Sequence, residues 1–184
     1  MPRYVAFLRA INVGGRVVRM ERLRGIFAEL GLANVETFIA SGNVIFTAKS
    51  KNAAALEQKI ERRLNDALGF DVKVFLRRDD ELAEIAARRA FAARETEAEG
   101  ASVYVAFLGA EPTPAATEIL SDHRSSVDAF AMQGREIFWL CRTRFSDSEF
   151  SGSKLEKLLG MRTTVRNLST IKKLAAKYPS GLSC

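Results

Sequence analysis

The chain opens on an apolar run, Tyr4-Val5-Ala6-Phe7-Leu8, in which side chains of both parities are hydrophobic. A strand covered on one face alternates, so this density predicts a strand buried on both faces. Met20, Leu23, Ile26, Phe27 and Leu30 then fall at helical spacing, with Gly31 as a stop. Residues 35–40 and 44–47 read as strands joined at Ser41-Gly42-Asn43, a turn triplet rich in residues that tolerate positive φ. Leu56, Ile60, Leu64 and Leu68 lie four apart, predicting a helix over 52–68 closed by Gly69, and 71–76 reads as a strand. The order is β-α-β-β-α-β, that of a ferredoxin-like split unit.

Tyr104-Val105-Ala106-Phe107-Leu108 repeats the opening pentapeptide letter for letter. The pattern after it repeats the earlier order: a short helix over 113–120 with Pro114 in its first turn, and strands over 129–132 and 136–141 around Gln133-Gly134-Arg135. A helix over 154–159 stopped by Gly160, a short strand over 163–165 and a last helix over 169–177 follow. The expected fold is α+β: two tandem ferredoxin-like (βαββαβ) units, with a connecting helix and a C-terminal helix. The first unit covers 1–78, the helix 79–94 and a charged stretch 94–100 make a connection over 79–100, and the second unit with its last helix covers 101–184.

Composition narrows the class. The apolar fraction of 47% and charged fraction of 27% are those of a soluble globular domain, and no apolar run is long enough to span a bilayer. The start leads directly into a strand without the layout of a signal peptide, so a cytoplasmic location is expected. Cys141 and Cys184 are far apart and expected to be reduced; with a single histidine, His123, neither a metal site nor a cofactor motif is expected. The net charge of +6 favours acidic partners and identifies none by itself. Its distribution says more: Arg3, Arg9, Arg16, Arg19, Arg22 and Arg24 crowd the start, with Glu21 the one acid among them.

The split βαβ topology, with spatial order 4-1-3-2, puts the loop leaving the first strand and the hairpin between the second and third at one end of the sheet. Arg9, Asn12, Gly14, Gly15 and Arg16 should therefore meet Ser41, Gly42 and Asn43, beside the start of the first helix. Glycine-rich backbone, asparagines and guanidinium groups there suit an anion. The structural alternative is equally concrete: Gly42 and Asn43 serve the turn, and Arg9 serves an ion pair. Thr164, Arg166 and Asn167, ahead of the last helix, offer a second basic, polar edge, or simply its N-cap. The loop is neither a Walker A nor a G-x-G-x-x-G sequence.

Leu8-Arg9-Ala10-Ile11-Asn12-Val13-Gly14-Gly15, Met20 with Leu23, Ser41-Gly42-Asn43-Val44 and Thr164-Val165-Arg166-Asn167, in this order, resemble the bacterial domain-of-unknown-function 1697 family. The resemblance covers essentially the whole chain and implies an α+β fold of two related halves, with no established activity. Ala10 stands where the family usually has glycine, and Leu168 where it tends to have tryptophan.

No nucleophile with its base and no paired carboxylates emerge, and His123, in Ser121-Asp122-His123-Arg124, reads as a loop histidine. The leading expectation is a protein binding an anionic ligand, either a phosphorylated small molecule or nucleic acid. The aromatic pattern of an RNA-recognition sheet is missing. The alternatives are a protein-interaction or structural module without a ligand site, and an enzyme of unknown reaction using the same pocket.

Overall fold

The structure, a computed structural model, describes residues 1–39 and 42–181. The expectations for Ser41 and Cys184 lie outside the described residues. The protein is α+β, with two four-stranded antiparallel sheets.

The first sheet is built from β1 (Arg3–Leu8), β2 (Ala33–Phe38), β3 (Asn43–Thr47) and β4 (Val74–Arg78), in the order β2-β3-β1-β4. Helix α1 (Met20–Glu29) joins β1 to β2, and α2 (Ala53–Leu68) joins β3 to β4. The Asn52 side chain accepts the Ala55 N–H at the start of α2, and Gly69 ends it with φ +75°. Tyr4, Ala6 and Leu8 point to one face and share a core with Leu23, Ile26 and Phe27 of α1 and Leu56, Ile60 and Leu64 of α2. Burying each of the leucine, isoleucine and phenylalanine side chains contributes about 1.5–3 kcal/mol. Val5, Phe7, Ile45 and Phe75, of the opposite parity, are equally buried. The unbroken apolar run reflects a strand without a wet face.

The short helices α3 (Asp79–Ala87) and α4 (Ala93–Thr96) follow, where the sequence predicts one helix over 79–94. The apolar spacing of Leu82 and Ile85 holds α3 on the protein; Arg88 and Arg89 break it, and both are exposed. The second sheet contains β5 (Ser102–Leu108), β6 (Asp128–Gln133), β7 (Glu136–Cys141) and β8 (Thr163–Asn167), ordered β6-β7-β5-β8. Helices α5 (Pro114–Asp122) and α6 (Gly152–Leu159) make its connections. Thr113 caps α5 through Ala116 N, and Ser151 caps α6 through Lys154 N. The last helix is α7 (Leu168–Lys177).

The repeat extends well beyond the shared pentapeptide. Leu8 pairs with Val74 and Leu108 with Thr163, and at each place a glutamate of the preceding helix reaches the edge strand. Glu61 accepts the Val74 N–H at 2.9 Å, and Glu156 accepts the Thr163 N–H at 2.8 Å. Glu57 does the same for Leu76 at 2.7 Å. A carboxylate on an outward N–H both satisfies the donor and discourages pairing with another strand. Arg77 stands opposite Val5 and Arg166 opposite Val105, and each guanidinium bends back onto the preceding residue's carbonyl.

By compactness, one unit comprises Met1–Ile85 with Leu174–Cys184, and the other Ala86–Lys173. These limits fall in α7 and at the end of α3. The far end of α7 is held to β2: the Tyr178 hydroxyl donates to Glu36 Oε2 at 2.6 Å, and Lys177 reaches the same carboxylate at 3.3 Å. The Tyr178 hydrogen bond, assisted by Lys177, holds the Glu36 carboxyl below its ordinary value. A lowered folded-state pKa means stability present above pH 4.5 and lost as pH falls through the lowered value. Glu36→Gln is therefore expected to cost less than about 1 kcal/mol at pH 7, since the pair is largely exposed. Melting curves of variant and parent should converge as pH falls through that lowered value.

Candidate functional site

The end of β1 continues into a loop whose shape follows from a few local interactions. Ala10 has φ +57°, then Gly14 +62° and Gly15 +81°, so three of six consecutive residues are left-handed. The Asn12 side chain spans the loop, its Oδ1 accepting the Val18 N–H at 2.7 Å. The Arg16 N–H donates to the Val13 carbonyl at 3.2 Å, closing a turn around the two glycines. A Cβ at Gly14 or Gly15 would meet nothing within 4 Å, so this backbone is open on its outer side. Ala10 carries a conformation that costs an L-residue roughly 1–2 kcal/mol. Ala10→Gly is expected to raise the Tm by about 1–4 °C, because relief of that cost exceeds the added freedom of the unfolded chain. Differential scanning calorimetry checks it.

The β2–β3 hairpin comes to this same loop. Leu8 N–H donates to the Gly42 carbonyl at 2.9 Å, and a Cβ on Gly42 would lie 2.5 Å from Ile11 Cγ2. Gly42, at φ +74°, is thus required by both conformation and close approach. Asn43 is fully buried, and its Nδ2 donates to the Phe38 carbonyl at 3.2 Å, closing the hairpin. Ile39 sits at φ +52° and is 54% exposed, an uncommon combination for a β-branched residue. Val13 and Val17 are likewise exposed, at 55% and 84%. The loop and the hairpin tip therefore form one rim, with apolar side chains set among basic ones.

The arginines of the rim differ in setting. Arg9 is half-buried, and its backbone N–H donates to the Lys73 carbonyl at 2.9 Å. Arg16 is exposed, with its guanidinium carbon 4.5 Å from the Phe70 ring centroid. Arg19 occupies the cap position of α1 without contributing a side-chain cap, so the first-turn N–H groups there have no side-chain acceptor from it.

In the other unit, the strand β8 runs two residues further than its sequence predicts, so Arg166 and Asn167 lie in a strand instead of a loop. Thr164 is buried, and the Arg166 guanidinium donates to its hydroxyl at 2.8 Å and to the Val165 carbonyl at 2.9 Å. Burial pulls the Arg166 pKa down to about 10, so it remains a cation at neutral pH. The Asn167 Oδ1 accepts the Ser169 N–H at 2.8 Å, the cap expected for α7. Asn167 also lines a cleft that reaches back to the residues after α3, at positions too distant in sequence for any motif to suggest.

The remaining candidates have structural duties. A carbonyl only accepts, so His123 Nδ1, 2.8 Å from the Ile119 carbonyl, carries its proton there, and the ring meets Phe150 edge-on. Cys141 is a buried free thiol donating to the Thr143 carbonyl at 3.3 Å. Asp79, Asp80 and Glu81 accept backbone N–H groups around the start of α3, and Asp80 pairs with Arg78. Among the described residues, no three His, Cys, Asp or Glu side chains gather as metal ligands would. Nor is any described helix long and apolar enough to cross a membrane.

No curated protein matches the chain. Among solved structures, the conserved bacterial protein SP0830 from Streptococcus pneumoniae is similar, with a TM-score of 0.67 and 25% identity over 95% of this chain and 97% of that one. Residues 1–138 match the model of a family described as protein of unknown function, DUF1697. That span contains the left-handed loop, the hairpin and both copies of the pentapeptide, and the chain belongs to the DUF1697 family.

Proposed function

We propose that this protein is a cytoplasmic, tandem ferredoxin-like protein that binds an anionic ligand at the rim formed by the β1–α1 loop and the β2–β3 hairpin. The carrying observation is the pair of left-handed glycines, open on their outer side, in a loop pinned to Gly42 and flanked by Arg9 and Arg16. Backbone N–H groups at such a turn can converge on one concavity, which suits phosphate oxygens. Arginine adds charge-assisted hydrogen bonds, and the start of α1 adds a smaller favourable field. A phosphorylated small molecule and a nucleic-acid phosphate share this chemistry.

Thermal melting with pyrophosphate, nucleoside triphosphates, sugar phosphates and short oligonucleotides tests the proposal. A ligand at a hundred times its Kd should add about 2.7 kcal/mol of stability. Arg9→Ala is expected to remove that gain. A steep fall in affinity with salt assigns the site to nucleic acid; a shallow one assigns it to a small molecule. If the whole panel leaves melting unchanged, the anion reading fails.

A second reading draws on Val13, Val17 and Ile39, exposed on the same rim with Ile39 in a left-handed conformation. Strain and exposed apolar groups are retained where a partner packs on them. On that reading the rim is a protein-interaction surface, and Val17→Asp abolishes the interaction while leaving the melting temperature unchanged.

A further inference from the structure

The unit Ala86–Lys173 contains a cleft of about 570 Å³ with no role in the rim just described. Its walls come from the segment after α3, the start of β5 and the first turn of α7. Arg88, Arg89 and Lys172 bring three positive charges to it, against one carboxylate, Glu97. Elsewhere in this unit Arg142 pairs with Glu95 at 2.6 Å and Arg162 with Glu156 at 3.8 Å. Among the described residues, no carboxylate pairs with Arg88, Arg89 or Lys172. Such a surplus of cations around a concavity is the arrangement an anion would complete.

The rest of the lining restricts what the anion carries. Ser102 and Ser169 bring hydroxyl groups, and Asn167 spends its oxygen on the Ser169 N–H, which leaves its amide N–H groups as donors. Phe91, Leu168 and Val103 add apolar wall, with Phe138 beneath. The volume lies within the range of small-molecule sites and holds a ring system together with a charged group. Guanidinium forks favour phosphate, whose oxygens take paired hydrogen bonds.

We infer that this cleft binds a phosphate ester of a small aromatic molecule, of the size of a nucleoside monophosphate, with the phosphate at Arg88, Arg89 and Lys172 and the ring against Phe91 and Leu168. The site shares no residue with the proposed rim and stands or falls without it.

Isothermal titration of the full chain with AMP, UMP and 4-nitrophenyl phosphate, alongside adenosine and inorganic phosphate, tests the inference. At least one ester should bind at least about tenfold more tightly than adenosine or phosphate alone, because only an ester engages both halves of the cleft. Arg88→Glu combined with Lys172→Glu should weaken that ester by at least about tenfold. Both positions are exposed, so the variant should melt with the parent. Arg9→Ala removes any contribution of the rim, and the ester binding that remains in it should show the same loss on the double charge reversal. Absence of binding by all three esters overturns the inference. So does ester binding that survives the double charge reversal in the Arg9→Ala background.

Discussion

Replacing Gly42 by alanine is expected to destabilise the protein by about 2–4 kcal/mol, lowering the Tm by roughly 4–16 °C. Two costs combine. Alanine at φ +74° carries the left-handed penalty, roughly 1–2 kcal/mol. Its Cβ would also fall 2.5 Å from Ile11 Cγ2 and 3.2 Å from Leu8 Cβ, separations that force the loop and the hairpin apart. Gly15 separates the terms, since it has φ +81° and open space around it. Gly15→Ala should therefore cost only the conformational part, about 1–2 kcal/mol. Ile11→Ala in the Gly42→Ala background should return part of the loss, giving a non-additive cycle. Equal effects for the two glycine substitutions would show that the hairpin does not press on the loop, and the rim would lose its basis. Urea denaturation of Gly42→Ala, Gly15→Ala, Ile11→Ala and the Gly42→Ala/Ile11→Ala double variant gives the answer.

The second large effect lies in the other unit. Trp139 is fully buried among Phe130, Phe145 and Phe150, and its indole N–H donates to Asp128 Oδ1 at 2.7 Å. The second carboxylate oxygen accepts the Ser148 hydroxyl at 2.8 Å. Asp128→Ala strands an indole donor in an aromatic core, where no water replaces the acceptor. The expected loss is about 2–4 kcal/mol, against roughly 1 kcal/mol for Asp128→Asn, which keeps an acceptor for the indole. Trp139 is the sole tryptophan, so its fluorescence reports this core without interference. A variant with unchanged stability and unchanged emission would mean the carboxylate does not order the aromatic cluster.

Much of the architecture was legible because local signals agreed with one another. The leucines of α2 recur every fourth residue between an asparagine cap and a glycine stop, and the helix forms between those marks. Both hairpins sit at their glycine turns, and the repeated pentapeptide marks the central pair of strands. What escaped depends on partners distant along the chain. Glu61 and Glu156 look like ordinary surface residues of amphipathic helices, although each serves a strand edge. Arg166 reads as a loop cation until its guanidinium is seen folded onto Thr164. Ile39 gives no warning of its backbone, because β-branched residues seldom turn left-handed. Of the site, the meeting of loop and hairpin followed from strand order, which places tips that residue types alone do not. The cleft around Arg88 and Lys172 had no signal, since its lining is drawn from three separated stretches.

The anchoring of Tyr178 on Glu36 also bears on how the chain matures. The two residues are 142 positions apart, so the first sheet leaves the ribosome long before the tyrosine that completes its edge. The middle unit, contiguous from Ala86 to Lys173, has all its own contacts before that tail emerges. The amino-terminal half, although synthesised first, is the last to acquire its full set of neighbours, and a nascent chain stalled short of Tyr178 would display it with that edge unfinished.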